Sequence, residues 1–275
     1  MTIYRGMNRS ELDAVYDNSL AVADSARLLA DFDLRSEQLR RERATALDLR
    51  YGRAPRNRLD YFAGAPGAPL VVCIHGGYWQ MRAKESFSFV AAGPLAHGLH
   101  VAVIGYTLAP ETSLAGIVSE VRSALAWLAE RAPGYGAAGQ RIYVAGWSAG
   151  GHLTAMCLRE SAVRGGMAVS GIFDLEPVRL SYLNDRLALT AKDARRLSPL
   201  HQLSAAPLPL MIAYGGAEWP ELQRQSRGYA AARAAARLPG RALCLDGHNH
   251  FTILDELARP DGALTALLLE LVLAG

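Results

Sequence analysis

Ile142-Tyr143-Val144-Ala145-Gly146-Trp147-Ser148-Ala149-Gly150-Gly151 is the stretch on which the fold turns. A β-branched and aromatic run gives way to a G-x-S-x-G turn, and an Ala/Leu-rich segment of helical character follows. Strand, tight turn and helix form the setting in which a serine is lifted clear of its neighbours in a strained conformation. Such a turn needs small residues two before and two after the serine, and Gly146, Gly150 and the extra Gly151 supply them. The five-residue pattern alone is weak: in a chain with this glycine and serine content, chance produces it on the order of 0.1 times. Its weight comes from the segments around it.

Working outward, strands are predicted at Leu47–Tyr51, Arg58–Phe62, Leu70–Ile74, His100–Gly105, Arg141–Ala145, Met167–Ser170, Leu208–Tyr214 and Ala242–Leu245. Several are near-continuous apolar runs, as strands buried on both faces of a parallel sheet require. Helical patterns lie between them at Ser86–Leu95, Ser113–Arg131, His152–Arg159, Glu221–Arg237 and Ala263–Leu273. The alternation predicts an α/β fold, a mostly parallel eight-stranded sheet with helices on both faces. Residues 1–45 read as an N-terminal helical extension rich in charge. From Phe173 to Ala206 the rhythm breaks around Pro177 and Pro199, so 173–206 is predicted as a small helical cap inserted into a single domain, 1–275.

Composition narrows the function classes. With 275 residues, 51% of them hydrophobic, the chain can bury a sizeable core. The net charge of +3 is spread with signs interspersed, and no basic block or Arg/aromatic stripe points to nucleic acid. Lys84 and Lys192 are the only lysines, a bias that reflects genome composition. Cys73, Cys157 and Cys244 are odd in number and sit in apolar segments, which predicts buried free thiols in a reducing compartment. The N-terminus lacks an apolar leader core, and Leu264–Leu273 is too short to span a bilayer, so a cytoplasmic location and a core-packed C-terminal helix are expected. A dimer through an edge strand or the N-terminal helix is neither favoured nor opposed.

A serine nucleophile needs a base, an acid that orients the base, and donors for the developing oxyanion. Ser148 follows the predicted fifth strand. The seventh strand runs into Gly215-Gly216-Ala217-Glu218-Trp219-Pro220-Glu221, and the eighth into Asp246-Gly247-His248-Asn249-His250-Phe251. His250 is preferred to His248 as base, because Phe251 and Leu254 begin an apolar helix that fixes its backbone. Glu218, the first carboxylate after its strand, is preferred as acid to Glu221, which suits the first turn of a helix. After the third strand, His75-Gly76-Gly77-Tyr78-Trp79 offers two glycines whose N–H groups can approach a substrate oxygen. Gly76, Gly77 and the N–H of Ala149 are the candidate oxyanion donors. Tyr78, Trp79 and Trp147 flank the serine and are candidate walls for an aryl group, although each tryptophan could equally pack the elbow against its helices. His152 fits a buried structural histidine and His75 a brace for the glycine loop, while Asp174 and Glu176 fit a loop that anchors the cap. His248 and His250 lack a third ligand at suitable spacing, so no metal and no cofactor are expected.

At this point the chain resembles a known branch. HGGYW, GWSAG, Tyr106-Thr107-Leu108-Ala109-Pro110-Glu111 and the late His250-Phe251 pair are similar to the α/β-hydrolase branch of kynurenine formamidases (arylformamidases) and related carboxylesterases. Gly171-Ile172-Phe173-Asp174-Leu175-Glu176-Pro177, Asn184-Asp185 and Leu197-Ser198-Pro199 resemble its cap. Pro220-Glu221-Leu222 with Arg224-Gln225-Ser226 resembles its acid loop and the helix after it. The likeness spans roughly residues 10–260, including Tyr16-Asp17-Asn18. It implies a Ser148-Glu218-His250 triad and an oxyanion hole of Gly76, Gly77 and Ala149. The animal enzymes carry Asp where this chain has Glu218. The implied reaction is acyl transfer from a small-molecule amide or ester to water, with a formyl aryl amide as first substrate class. A carboxylesterase on short-chain or aryl esters is the alternative. A non-catalytic binding protein that has kept the fold is disfavoured by the complete set of groups.

Overall fold

Period-two alternation along the strands divides the interior into two cores, one on each face of a sheet. On the third strand Leu70, Val72 and Ile74 enter one core while Val71 and Cys73 enter the other. The fourth repeats the pattern, with Ala102 and Ile104 on the first side and Val101 and Val103 on the second. The computed structural model describes residues 2–139, 141–203 and 208–274. The strands are β1 (Ala46–Arg50), β2 (Arg58–Phe62), β3 (Leu70–Ile74), β4 (His100–Ile104), β5 (Ile142–Trp147), β6 (Val163–Val169), β7 (Leu210–Gly215) and β8 (Ala242–Leu245). They form one eight-stranded sheet in the order β1-β2-β4-β3-β5-β6-β7-β8. The pairings β1–β2 and β2–β4 are antiparallel and all others parallel.

Three helices precede the sheet, α1 (Arg9–Ala14), α2 (Asn18–Ala21) and α3 (Ser25–Arg43). Helices α4 (Ala92–Ala96), α5 (Leu114–Arg131) and α6 (Ala149–Met156) lie among the central strands. Three short helices, α7 (Glu176–Leu180), α8 (Asn184–Leu187) and α9 (Ala191–Leu197), connect β6 toward β7. They occupy the segment expected as a cap, whose last residues, 204–206, lie outside the described ones. The chain closes with α10 (Pro220–Ala235), α11 (Asp255–Ala258) and α12 (Ala263–Leu273). Leucines and valines of α5 pack into the first core, together with residues of α6 and α10. Leu28 and Phe32 of α3 pack into the second with the apolar faces of α11 and α12. No described helix is long and apolar enough to cross a membrane.

Four expectations need correction. β6 starts at Val163 rather than Met167. Gly165 and Gly166, just before the expected start, are small for packing reasons: a Cβ on Gly165 would lie 2.8 Å from Leu271 and 3.1 Å from Pro209 O. Helix α6 begins at Ala149, three residues before His152, because its glycines also serve close approach. The helix expected at Ser86–Leu95 is two short 3₁₀ turns followed by the five-residue α4. Cys73 and Cys157 are buried free thiols, but Cys244 is exposed. It sits on β8, the strand at one edge of the sheet, whose residues alternate between exposed and half-buried.

Candidate active site

The strand β5 ends at Trp147 and α6 starts at Ala149, so Ser148 is the single residue between them. Its φ of 57° and ψ of −118° form a conformation that residues with a Cβ adopt only at a cost. Hydrogen bonds hold it from both sides: Ser148 N–H donates to Val169 O at 2.8 Å, and His152 N–H donates to Ser148 O at 3.2 Å. The backbones around it are in contact. A Cβ on Gly146 would fall 2.1 Å from Gly150 O, and one on Gly150 would fall 2.1 Å from Ile74 O. Because the obstructing atoms are backbone, no rotamer change relieves either clash. At the first position of α6, the N–H of Ala149 has no intrahelical acceptor and is available beside the serine.

Two loops deliver the carboxylate and the imidazole. Ala217 N–H donates to His248 O at 3.0 Å, which ties the loop after β7 to the loop after β8. Glu218 turns back under its own loop. Its Oε1 accepts from Gly215 N–H at 2.7 Å and from Ser170 Oγ at 2.6 Å, and its Oε2 lies 3.2 Å from His250 Nδ1. Oε2 is thus placed to accept from Nδ1–H of His250 in the tautomer that leaves Nε2 free to act as a base. Trp147 Nε1 donates to His250 O at 2.9 Å, and its indole lies 5.0 Å from the imidazole. Glu218 and His250 are buried. Ser148, His250, Trp147 and Phe251 border one cavity of about 90 Å³. Among the described residues, no hydrogen bond joins Ser148 Oγ to the imidazole. Such contacts commonly tighten only when substrate is bound.

The glycine loop forms another wall. Gly77, Tyr78 and Trp79 have φ of 102°, 49° and 61°, three successive left-handed residues after β3. Gly77 borders the cavity, whereas Gly76 is packed behind the serine, where a Cβ would stand 3.0 Å from Ser148 Cβ. Tyr78 borders the cavity and Trp79 does not: the indole of Trp79 is fully buried, edge-on to His152 at 5.0 Å. Of the three aromatic residues read as possible substrate walls, the structure brings Tyr78 and Trp147 to the cavity and puts Trp79 in the core. His75 Nδ1 bonds Gly76 O at 2.7 Å and its ring stacks on Tyr106, while burial pushes its pKa down to about 4. It is a neutral brace. His152, also pushed down to about 4 by burial, bonds Leu197 O through Nε2, and its Nδ1 has no partner among the described residues.

His248, Glu221, Asp174 and Glu176, weighed from the sequence, lie elsewhere. His248 contacts Thr252 O at 3.3 Å, and Glu221 is held by Tyr16 and Arg224. Asp174 accepts from Tyr4 OH, and Glu176 pairs with Arg179. Ser170, Asn18, Arg82 and Tyr182 are among the residues at the site that had no role assigned from the sequence. Ser170, at the carboxyl end of β6, carries the only local signal, a polar residue ending a buried central strand. Asn18, Arg82 and Tyr182 come to the cavity from remote segments without any such signal. Among the described residues, no cluster of three or more His, Cys, Asp or Glu side chains is arranged to hold a metal ion.

Comparison with known proteins identifies the family. The family model described as BD-FAE matches residues 62–164. Kynurenine formamidases of Danio rerio and Salmo salar are each 31% identical to the chain, with 99% of both partners covered. A Silicibacter sp. tm1040 crystal structure carrying the name thioesterase is 28% identical with a TM-score of 0.84, covering 94% of this chain and 99% of that one. An esterase from Pyrobaculum calidifontis, 19% identical over 100% of this chain and 99% of its own, shares the fold at a TM-score of 0.72. The chain is therefore a hydrolase of α/β-hydrolase fold and belongs to the kynurenine formamidase family.

Proposed function

We propose that this hydrolase cleaves a small acyl amide, with an N-formyl aryl amide as the leading substrate, through a Ser148-His250-Glu218 triad and an acyl-enzyme. The observation that carries the reading is the buried 3.2 Å contact between Glu218 Oε2 and His250 Nδ1, on the wall of the cavity that Ser148 also borders. The names of the full-length relatives support the formyl amide.

In this mechanism His250 Nε2 takes the proton from Ser148 Oγ as the oxygen bonds to the carbonyl carbon. The carbonyl electron pair moves onto its oxygen, where the N–H groups of Ala149 and of the Gly76-Gly77 loop receive it. Each well-aimed donor contributes about 3–4 kcal/mol of transition-state stabilisation. Glu218 holds the ring orientation and balances the imidazolium. The proton then passes from Nε2 to the leaving aniline nitrogen, the C–N bond breaks, and the acyl group stays on Ser148. A water molecule repeats the sequence: it gives a proton to Nε2, attacks the ester carbon, and releases the acid as Ser148 regains its proton. Tyr78 and Trp147 supply flat apolar faces that suit an aryl leaving group.

The test is hydrolysis of N-formyl-L-kynurenine beside p-nitrophenyl acetate, with Ser148→Ala as control. Turnover of the formamide at kcat/KM of about 10⁴ M⁻¹s⁻¹ or more, abolished in the variant, supports the reading. Cleavage of the activated ester alone removes the substrate assignment and favours the carboxylesterase alternative. Full activity in Ser148→Ala removes the triad.

A further inference from the structure

One charge in the cavity wall has no part in that mechanism. Arg82 borders the cavity, and its aliphatic stem lies along the glycine loop: a Cβ on Gly77 would be 2.8 Å from Arg82 Cγ. Its guanidinium has no hydrogen-bond or ion-pair partner among the described residues, and the carboxylate whose field reaches it is the exposed Asp33. Partial burial without a partner lowers its pKa.

The other partly buried arginines of the chain are matched. Arg35 is bonded to Asp31 and Asp255, Arg40 to Asp60, and Arg224 to Glu221. Arg56 donates to the carbonyl oxygens of Tyr106 and Arg82, and Arg233 to those of Leu208 and Pro239. Arg82 is thus the exception, and it stands where a substrate would lie. A guanidinium presents paired donors whose geometry fits a carboxylate or a phosphate. Asp17 borders the same cavity, which disfavours a dianion and leaves the carboxylate. Asp17 Oδ1 caps α2 by accepting from the N–H groups of Ser19 and Leu20, and among the described residues no ion pair joins Asp17 to Arg82.

Building on the hydrolase reading above, we propose that Arg82 is the specificity-determining residue of this site, pairing with a carboxylate carried by the substrate away from the cleaved bond. Its stem against Gly77 raises one rival role, direct stabilisation of the oxyanion. The two roles differ in what they predict for a substrate without a carboxylate.

The experiment measures kcat and KM of wild type, Arg82→Gln and Arg82→Lys on two matched pairs. One pair is N-formyl-L-kynurenine and N-formylkynuramine, the same molecule lacking the carboxylate; the other is 4-acetoxybenzoate and phenyl acetate. Arg82→Gln is expected to lose about 10- to 100-fold in kcat/KM on the carboxylate-bearing member, mainly through KM, equivalent to about 1.4–2.7 kcal/mol. The uncharged member should change by less than about threefold, and Arg82→Lys should recover part of the loss, since it keeps the charge but not the paired donors. An equal loss on both members, carried in kcat, would assign Arg82 to the oxyanion and overturn the proposal. So would a wild-type enzyme with no preference for the carboxylate. If neither formamide is cleaved but the esters are, the formamidase reading fails while the ester pair still decides the role of Arg82. Should Arg82→Gln not fold, as read by its melting curve, the same comparison with Arg82→Lys decides: a loss confined to the carboxylate-bearing member supports the pairing, and its absence overturns it.

Discussion

Replacing Glu218 by glutamine exchanges an oxygen for an NH₂ group and should remove nearly all activity while sparing the fold. The Oε1 atom lies between two donors, Gly215 N–H at 2.7 Å and Ser170 Oγ at 2.6 Å. Glutamine has one accepting oxygen and one NH₂ with two donors. Placing the NH₂ at the Oε1 position would set donor against the Gly215 N–H, so the oxygen keeps that place. The NH₂ then faces His250 Nδ1, where Oε2 lies at 3.2 Å in the native protein. Nδ1 is forced to accept, and the ring proton moves to Nε2, the atom that has to take the serine proton. The imidazolium also loses its buried counter-charge. A carboxylate-to-amide change in a Ser-His-acid site lowers kcat by about 10⁴, or about 5.5 kcal/mol of activation free energy.

KM should change little, because Glu218 is not part of the cavity wall. Both hydrogen bonds to the retained oxygen survive, so the melting temperature should shift by no more than about 2–4 °C, the equivalent of about 1 kcal/mol. Steady-state hydrolysis of p-nitrophenyl acetate and N-formyl-L-kynurenine reads the rate, and thermal unfolding reads the fold. Glu221→Gln is the companion variant: Glu221 is bonded to Tyr16 and Arg224, so its loss should act on stability rather than on rate. Retention of more than about a tenth of wild-type kcat by Glu218→Gln would refute the assignment. A rate collapse in Glu221→Gln instead would name the other carboxylate as the acid.

Two further perturbations probe the frame around the site. Tyr78→Phe removes a hydroxyl that donates to Tyr16 O at 2.6 Å and accepts from Asn18 Nδ2 at 3.0 Å, so two buried groups lose their partner at about 1–3 kcal/mol each. Urea unfolding should show that loss together with a raised KM, and unchanged stability would detach the N-terminal segment from the site. His75 and His152 are held down to about 4 from an ordinary 6.5, so the unfolded chain binds more protons between those values. Stability therefore falls as the pH drops through that window, by about 2 kcal/mol per ring between pH 7 and pH 5. Urea midpoints at the two pH values measure it, and His152→Gln should shrink the difference by one ring's share; an undiminished difference would count against the assignment.

The proposed triad was legible as a grouping because each of its members lies in a loop at the carboxyl end of a strand. Ser148, Glu218 and His250 need no long-range information beyond strand order, and the apolar runs of β3, β5 and β7 are too regular to mistake for anything else. Glycines defeated the same reading wherever they serve packing instead of turning. Gly165 and Gly166 hide the first half of β6, and Gly150 and Gly151 hide the first turn of α6, because a glycine needed for close approach is indistinguishable in sequence from one needed for a turn. For Trp79 the sequence left cavity wall and core packing equally open, because a backbone turning left-handed at three successive residues sends neighbours to different destinations.

The recognition half was illegible for a reason built into the fold. Asp17, Asn18, Arg82 and Tyr182 meet at the cavity from the N-terminal segment, the loop after β3 and the segment between β6 and β7, so no local pattern relates them. Tertiary hydrogen bonds tie the N-terminal segment to the loop after β6 and to α10. Tyr16 OH donates to Glu221 Oε1 at 2.9 Å and accepts from Gln225 Nε2 at 3.0 Å, while Gln225 Oε1 accepts from the N–H groups of Phe173 and Asp174. One glutamine on α10 thereby joins the N-terminal segment, the loop after β6 and the helix that follows Glu218. Arg82 lies outside that junction and can change without disturbing a hydrogen bond of Ser148, Glu218 or His250. Such a division lets chemistry stay on the sheet while loops decide which molecule is presented to it. It also explains why strand-end residues lead to a hydrolase, whereas the choice of substrate has to be argued from an idle guanidinium in the cavity wall.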